Sequence, residues 1–463
     1  MSAESPLDAT ARVVIVGASL AGLRAAERLR HLGFRGSLVL IGDEPHEPYD
    51  RPPLSKQVAL GMAQAERTRL PRLADLGDVE WRLGVAAAGL DRARREVRLA
   101  DGTTVSYDRL LIATGVRNRP WFVPEQAALD GVVSVRTSED GARLHSLLAE
   151  HPKRVLVIGG GFTGSEIASV SRQLDLDVTL VERAPSPLAG AFGEVVGQIA
   201  AEIQREHGVD LRTGLEVTAL EGDDAGRVRS VVLSDGSTVE VDVVVVALGS
   251  ERNVEWLAGS HLAAGPLGVA ADAGCRAIND DGLVVDDVFV AGDVARMPHP
   301  LYGYEFLSLE HWENAIKQAE IAAHNMVCTP MDRLPHITVP SFWSIQFGVN
   351  IKSVGVPPFG DTILFTQGSV KDRSFVAAYG QEGRLVAAVM FDQAKWMDFY
   401  RREIESAGRL PEDLRADDSP TPDGPVPAKF PHPSVAYHTP TVVLSGHAPQ
   451  GAHASVIEPQ GAP

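Results

Sequence analysis

The 463-residue sequence predicts an α/β fold with parallel sheets: two copies of one βαβ unit, then a small α+β domain at the C-terminal end. Three observations carry this. Val13-Val-Ile-Val-Gly17-Ala-Ser19-Leu20-Ala21-Gly22 is an apolar run, a glycine-rich turn and the start of a helical pattern. Val155-Leu-Val-Ile-Gly159-Gly-Gly161-Phe162-Thr163-Gly164 repeats that order. From about Pro335 the texture changes to short alternating runs. Strand-type runs alternating with helical segments favour a parallel sheet, and similarity at the spacing of a whole unit is a domain repeat rather than a solenoid.

In the first unit a strand ends at Val16 and a helix runs through Arg24–Arg30, with Leu20, Leu23, Leu29 and Leu32 near helical spacing. Gly33 ends that helix, and Ser37–Ile41 forms the next strand. A buried-type strand follows at Tyr107–Gly115. The second unit has a strand at Val155–Ile158, a helix from about Ser165 to Leu174 and a strand at Val178–Val181. Val241–Gly249 and Asp287–Asp293 are further strands ending at glycine or Gly-Asp. Trp343, Phe347, Ile363, Phe365, Val376 and Val389 then mark a small antiparallel sheet, with a terminal helix at about Trp396–Ile404. After Gly408 the prolines at 420, 422, 425, 427, 431 and 433 predict an extended stretch poorly able to form a core. A strand-like piece at Thr441–Ser445 interrupts it, and the last residues are expected to be disordered.

Composition narrows the function classes. A hydrophobic content of 44% describes an ordinary globular protein. A net charge of −18 argues against nucleic acid as a partner. No apolar run approaches the roughly 18 residues of a membrane span. The N-terminal Met1-Ser-Ala-Glu-Ser-Pro lacks a basic stretch followed by an apolar one, so no signal peptide is read and a cytoplasmic protein is expected. Cys275 and Cys328 form no CxxC pair, which disfavours a metal site or a redox dithiol. Both are expected to be buried small hydrophobes.

The turns carry the chemistry. A pyrophosphate requires close backbone approach and unpaired N–H donors, which a glycine turn at a helix N-terminus supplies. The second turn has all three glycines, Gly159, Gly161 and Gly164; in the first, Ser19 stands at the middle position between Gly17 and Gly22. Each turn alone could be a tight βα connection without ligand, but two in one chain point to two dinucleotides. An acidic residue at the end of the second strand should hold ribose hydroxyls: Asp43 with Glu44 in the first unit, Glu182 in the second. A carboxylate there accepts the 2′-hydroxyl of NADH and repels the 2′-phosphate of NADPH, so NADH is favoured; the adjacent Arg183 is the counter-argument.

With these segments, and most specifically with Pro48-Tyr-Asp-Arg51-Pro-Pro-Leu-Ser-Lys56, the sequence resembles the FAD-dependent NAD(P)H:ferredoxin reductases that serve cytochromes P450 and Rieske-type dioxygenases. Ala113-Thr114-Gly115, Val135-Arg136-Thr137, Ala291-Gly292-Asp293 and Glu310-His311-Trp312-Glu-Asn-Ala315 belong to the resemblance, which runs from about Val13 to Ile404. It implies a glutathione-reductase-like arrangement of two Rossmann-like domains. FAD would be bound by 1–118 and 249–332, NADH by 119–248; a C-terminal α+β domain would follow at 333–408 and a Pro-rich extension, partly disordered, at 409–463.

On the same resemblance the first turn holds the FAD diphosphate, Asp43 the adenosine ribose, and Ala87 the adenine through its backbone. Arg51 and Lys56 reach the diphosphate or isoalloxazine region and Arg136 lies near the flavin. Asp293 accepts from the ribityl chain and Trp312 sits at the isoalloxazine, with Ala113, Thr114, Gly115, Gly249, Gly292 and Ala315 among the cofactor-binding positions. His311 is a further cofactor-binding position, structural rather than catalytic in kind. Glu166 points at the nicotinamide carboxamide, although a glutamate near a helix start also suits the helix dipole. The family often reads Phe-Trp-Ser-Asp-Gln where this chain has Phe342-Trp343-Ser344-Ile345-Gln346.

The resemblance thus implies electrons passing from NADH through flavin to a small iron–sulfur ferredoxin. No residue is required as a nucleophile, and the absence of cysteine from Asp43 to Lys56 disfavours disulfide reductase or thiol peroxidase chemistry. A flavin-binding, NADH-sensing interaction protein of the apoptosis-inducing-factor kind and a rubredoxin reductase are the alternatives. Because ferredoxins are themselves acidic, docking would need a local basic patch; Lys317, Lys395, Arg401 and Arg402 are candidates for it and could equally be scattered surface charges.

Overall fold

The computed structural model describes residues 7–8, 10–416, 424–431, 441–445 and 453–457. The two βαβ units are near copies. In the first, the strand Arg12–Val16 leads into the helix Leu20–His31 and then the strand Ser37–Gly42. In the second, Arg154–Ile158 leads into Phe162–Gln173 and then Asp177–Glu182. Arg12–Val16 lies parallel between Ser37–Gly42 and Arg109–Ile112; Arg154–Ile158 lies parallel between Asp177–Glu182 and Val243–Val246. The repeat extends to single hydrogen bonds. The Gly17 N–H donates to the Ile41 carbonyl at 2.8 Å and the Gly159 N–H to the Val181 carbonyl at 2.8 Å.

Both sheets are buried on two faces, which accounts for the continuous Val/Ile/Leu runs that mark them. The first has six strands, with Val284–Val290 parallel beside Arg109–Ile112. The second has five, all parallel. The chain passes between the two units twice, and the passages pair as an antiparallel ribbon, Val116–Asn118 with Ser250–Arg252. The helix Trp312–Val327 packs against Leu20–His31 over small residues: a Cβ on Gly292 would lie 3.2 Å from that of Ala21 and 3.9 Å from that of Ala315.

The C-terminal domain is the expected antiparallel sheet, running in space Ser341–Gln346, Val349–Gly355, Arg384–Phe391, Ser374–Gln381, Thr362–Ser369 and Val426–Pro427, with the helix Met397–Glu405 against it. The last strand departs from the sequence expectation. The Pro-rich stretch is extended there, but it belongs to a core: Val426 and Pro427 pair with Ile363 and Thr362, and Ala428 is buried. An edge strand is where a sheet accepts proline, whose missing N–H has no ladder partner to lose. Thr441–Ser445 is a strand, paired with His453–Ile457. Of the last residues, expected to be disordered, His453–Ile457 is that partner strand and 446–452 and 458–463 lie outside the described residues. Cys275 is buried as expected, whereas Cys328 is only partly covered because it follows directly on the last turn of its helix.

Candidate functional site

A cavity of about 690 Å³ opens where the two units and the C-terminal sheet meet, within the roughly 300–1,000 Å³ typical of cofactor and small-molecule sites. Gly17, Ser19, Leu20 and Ala21 line it, at the N-terminus of the first helix. Ser19 is the N-cap of that helix and makes no side-chain capping bond; Gly161 is the N-cap of the second unit's helix, also uncapped. The backbone donors at both helix starts are therefore left for an anion. A Cβ built on Gly161 meets nothing within 4 Å, so the equivalent position in the first unit accommodates a serine without clash. Gly22 and Gly164 act differently. A Cβ on either would lie within 2.0 Å of the carbonyl of Gly17 or Gly159, so they set how closely helix and strand approach.

The acidic pair of the first unit is split. Asp43 is exposed at the cavity and accepts the Glu44 N–H at 3.0 Å. Glu44, also in the cavity wall, is taken up by the Tyr49 hydroxyl and the Arg51 guanidinium. Arg51 also donates to the Arg136 carbonyl at 2.7 Å and the Tyr49 hydroxyl at 2.8 Å, and that hydroxyl accepts the Ser138 N–H at 3.0 Å. Arg51 thus ties the Pro-rich segment to the start of the helix Ser138–Ala149, and burial pushes the Tyr49 phenol up. Arg136 donates to the Val116 carbonyl at 3.0 Å and lies 3.3 Å from Asp293. Burial raises the Asp293 carboxyl against the opposing pull of Arg136.

The prolines of 52 and 53 start a short 3-10 turn that carries Ser55 and positions Lys56. Lys56 Nζ lies 2.7 Å from Glu166 Oε2, which also accepts the Ser55 hydroxyl at 2.6 Å; Glu166 Oε1 accepts the Ser344 hydroxyl at 2.5 Å. This buried pair joins three regions of the chain. Across the cavity, His311 is the N-cap of the helix that Trp312 begins. Burial holds the His311 imidazole down at about 4, so it is neutral at pH 7, and its Nδ1 is buried without a partner, a polar atom left for a bound group. Trp312 donates from Nε1 to Asp50 at 2.8 Å, burial raises the Asp50 carboxyl, and Trp343 packs edge-on at 5.8 Å.

Ala113, Thr114, Gly115, Gly292, Asp293 and Ala315 complete the wall that the first unit contributes. Phe162, Thr163 and Glu166 are the second unit's residues in it, Phe162 against Phe342 at 4.1 Å. Gly159, Gly161, Gly164, Glu182, Arg183 and Gly249 lie outside the cavity wall, on the second unit's own turn and strand ends. There Glu182 accepts the N–H groups of Gly160 at 2.5 Å and Ala184 at 2.7 Å, while Arg183 is 70% exposed and 3.7 Å from Glu216. Ala87 also lies outside the wall; the chain just before it is tied to the Asp43 turn, Gly84 N–H to Glu44 carbonyl and Val85 N–H to Gly42 carbonyl, both 3.0 Å. The sequence reading assigned no role to Tyr49, Asp50, Ser55 or Ser344. The first three lie inside the segment quoted for the resemblance, which was the available signal.

The residues fit FAD. They offer an uncapped helix start for the diphosphate, an exposed carboxylate in Asp43, and a wall with an ammonium, two tryptophans and an orphaned imidazole nitrogen. Of the candidates for a basic patch, Lys317 pairs with Glu320 at 3.1 Å and Arg401 lies 3.6 Å from Glu313. Trp343 and Ile345 are instead exposed side by side on the edge strand, at 36% and 48%. Among the described residues no helix is long and apolar enough to cross a membrane.

The family model for pyridine nucleotide-disulphide oxidoreductases matches residues 11–319, and a reductase C-terminal model matches 341–421. The chain is 35% identical over 396 residues to a probable ferredoxin reductase, CtmF, of Castellaniella defragrans, covering 83% of this chain and 91% of that protein. It is 34% identical over 403 residues to the anthranilate 1,2-dioxygenase system ferredoxin–NAD(+) reductase component of Burkholderia cepacia, covering 86% and 95%. Among solved structures, the covalent putidaredoxin reductase–putidaredoxin complex superposes with a TM-score of 0.81 at 29% identity, covering 89% of this chain and 97% of that one.

Proposed function

Because the chain belongs to the pyridine nucleotide-disulphide oxidoreductase family, we propose from its site that it is an NADH:ferredoxin reductase, passing electrons from NADH through FAD to the small iron–sulfur ferredoxin of a cytochrome P450 or Rieske-type oxygenase. One observation carries the reading: the first unit's turn and the start of the second unit's helix open onto the same cavity, and neither cysteine lines it. FAD, when bound, supplies the exchange between hydride and single electrons. The protein supplies position and field. The uncapped helix start beside Gly17 would hold the diphosphate, and Asp43 the ribose. The Lys56 ammonium would offer a positive charge beside the bound flavin, and Trp312 would keep water from that wall. Phe162 and Glu166 border the place where nicotinamide would enter. Two free thiols fit a reducing compartment, the cytoplasm. We assign FAD to 1–118 and 249–332, NADH to 119–248 and a further domain to 333–408, with the Val116–Asn118/Ser250–Arg252 ribbon as the natural boundary.

The test is anaerobic addition of NADH followed by mixing with purified ferredoxins. Flavin absorbance should bleach, and an added ferredoxin should accelerate cytochrome c reduction. Protein purified without FAD, or flavin that NADH leaves unchanged, would overturn the proposal. Turnover that is slow with every ferredoxin but fast with rubredoxin would replace the acceptor, and NADH-dependent oligomerisation without turnover would favour an interaction protein.

Glu182 makes the nucleotide choice testable. Its two oxygens already accept one backbone N–H each, leaving lone pairs for the ribose hydroxyls. Glu182→Ala is expected to raise KM for NADH about tenfold while kcat changes less than about twofold, because a ribose contact is made equally in ground and transition states. Steady-state kinetics with NADH and NADPH read this out; an unchanged KM for NADH removes Glu182 from the site.

A further inference from the structure

The helix Ala189–Glu206 is broken near its start. Gly193 has φ 77° and ψ 168°, outside helical values, and a Cβ there would lie 2.3 Å from the Ala428 carbonyl oxygen. The break leaves the Glu194 N–H without a helical acceptor, and the Lys429 carbonyl takes it at 2.8 Å. The residues on the other side of that bond are the Pro-rich strand. Val426 and Pro427 pair with the C-terminal sheet, Ala428 N–H donates to the Asp361 carbonyl at 2.9 Å, and Phe430 packs on the same core. This segment lies beyond the 341–421 match of the reductase C-terminal model.

The break also lies behind the cavity wall, one side chain removed from it. Phe192, immediately before Gly193, is 2% exposed, and its carbonyl accepts the Tyr379 hydroxyl at 2.7 Å. Its ring stands edge-on to Phe162 at 5.4 Å, and Phe162 lines the cavity against Phe342. From Lys429 to the cavity wall there is thus one packed sequence: strap carbonyl, Glu194 amide, helix break, Phe192, Phe162.

We infer that residues 424–430 are a positioning strap for the nicotinamide side of the cavity, fixing the helix break at Gly193 so that Phe192 holds Phe162 in place. The inference rests on the NADH reading of the second unit. It gives the Pro-rich extension a role that its composition does not suggest. Without the strap the Glu194 amide must find water, the first turn of the helix relaxes, and Phe162 loses the ring that backs it. The consequence falls on NADH.

The strap can be loosened at a single bond or removed whole. Glu194→Pro puts a ring carbon where the N–H meets Lys429, at a helix start where proline is otherwise tolerated. A chain ending at Asp423 removes the strap outright, and Glu194→Pro serves if that chain does not fold. We expect Kd for NAD⁺, measured by calorimetry on the oxidised protein, and KM for NADH each to rise about fivefold, with KM for ferredoxin and FAD content unchanged. Amide exchange at Glu194 should change from slow in the full chain to fast in the truncated one. A fall in melting temperature with Kd for NAD⁺ unaltered overturns the positioning role and leaves the NADH:ferredoxin reading intact. A full-length flavin that NADH does not bleach overturns that reading and the strap's role together.

Discussion

Gly17→Ala is expected to yield protein that purifies without FAD. Gly17 has φ +117°, a region costing an alanine about 1–3 kcal/mol, and the added Cβ would lie 2.0 Å from the Ala113 carbonyl oxygen. Neither neighbour can give way. The Gly17 N–H is bound to Ile41 at 2.8 Å and the Ala113 N–H to Val16 at 2.7 Å, so both belong to the central parallel sheet. Relief comes only by moving the turn, which carries the uncapped start of the helix away from the diphosphate. The readout is the ratio of flavin to protein absorbance after gel filtration, with melting temperature falling as the cofactor's stabilisation is lost. Gly161→Ala is the matched control. Its Cβ meets no atom within 4 Å, φ is −70°, and the first unit already carries serine at that place, so this variant should keep its FAD. Wild-type FAD content in Gly17→Ala would detach the first turn from the flavin.

The two turns were legible because their signals are local. A buried parallel strand is an apolar run, and the turn after it must admit a positive φ at Gly17 and Gly159. What the sequence left open are contacts made across the fold. Asp43 and Glu44 are adjacent carboxylates in the cavity wall, and nothing local says that one stays exposed while the other is taken up by Arg51 and Tyr49. Arg51 lines the cavity, and its guanidinium also has Glu44, Tyr49 and the Arg136 carbonyl as partners, the last 85 residues away. Lys56 and Glu166 were assigned to flavin and nicotinamide separately. Their pairing spans 110 residues and Ser344 joins from 178 further on, separations at which no periodicity carries information. The Pro-rich tail misled for a different reason. Prolines exclude a helix or a central strand, but an edge strand remains open to them, and composition cannot tell an edge strand from a solvated linker.

Breaking the Lys56–Glu166 pair is expected to have the largest effect on turnover. The side chains are only 15% and 7% exposed, so the pair is held where solvent screening is weak. Removing one partner of a buried pair typically costs about 3–5 kcal/mol, because the other charge is left uncompensated. Lys56→Met removes the ammonium and its length is otherwise matched. Glu166 then keeps only the hydroxyls of Ser55 and Ser344, and the cavity wall loses the positive charge that favours hydride arrival. Losing a preorganised charge of this kind slows the chemical step by about 10²-fold or more. Glu166→Gln should be milder, since an amide still accepts from one hydroxyl and Lys56 retains its charge and its bond to the Pro52 carbonyl at 3.2 Å. The order of flavin reduction by NADH should therefore be wild type, then Glu166→Gln, then Lys56→Met. Stopped-flow bleaching measures it under anaerobic conditions, and thermal melting of the FAD-loaded proteins separates rate from stability. If Lys56→Met bleaches at the wild-type rate while melting lower, the pair is a clamp between domains and the ammonium plays no part in the hydride step.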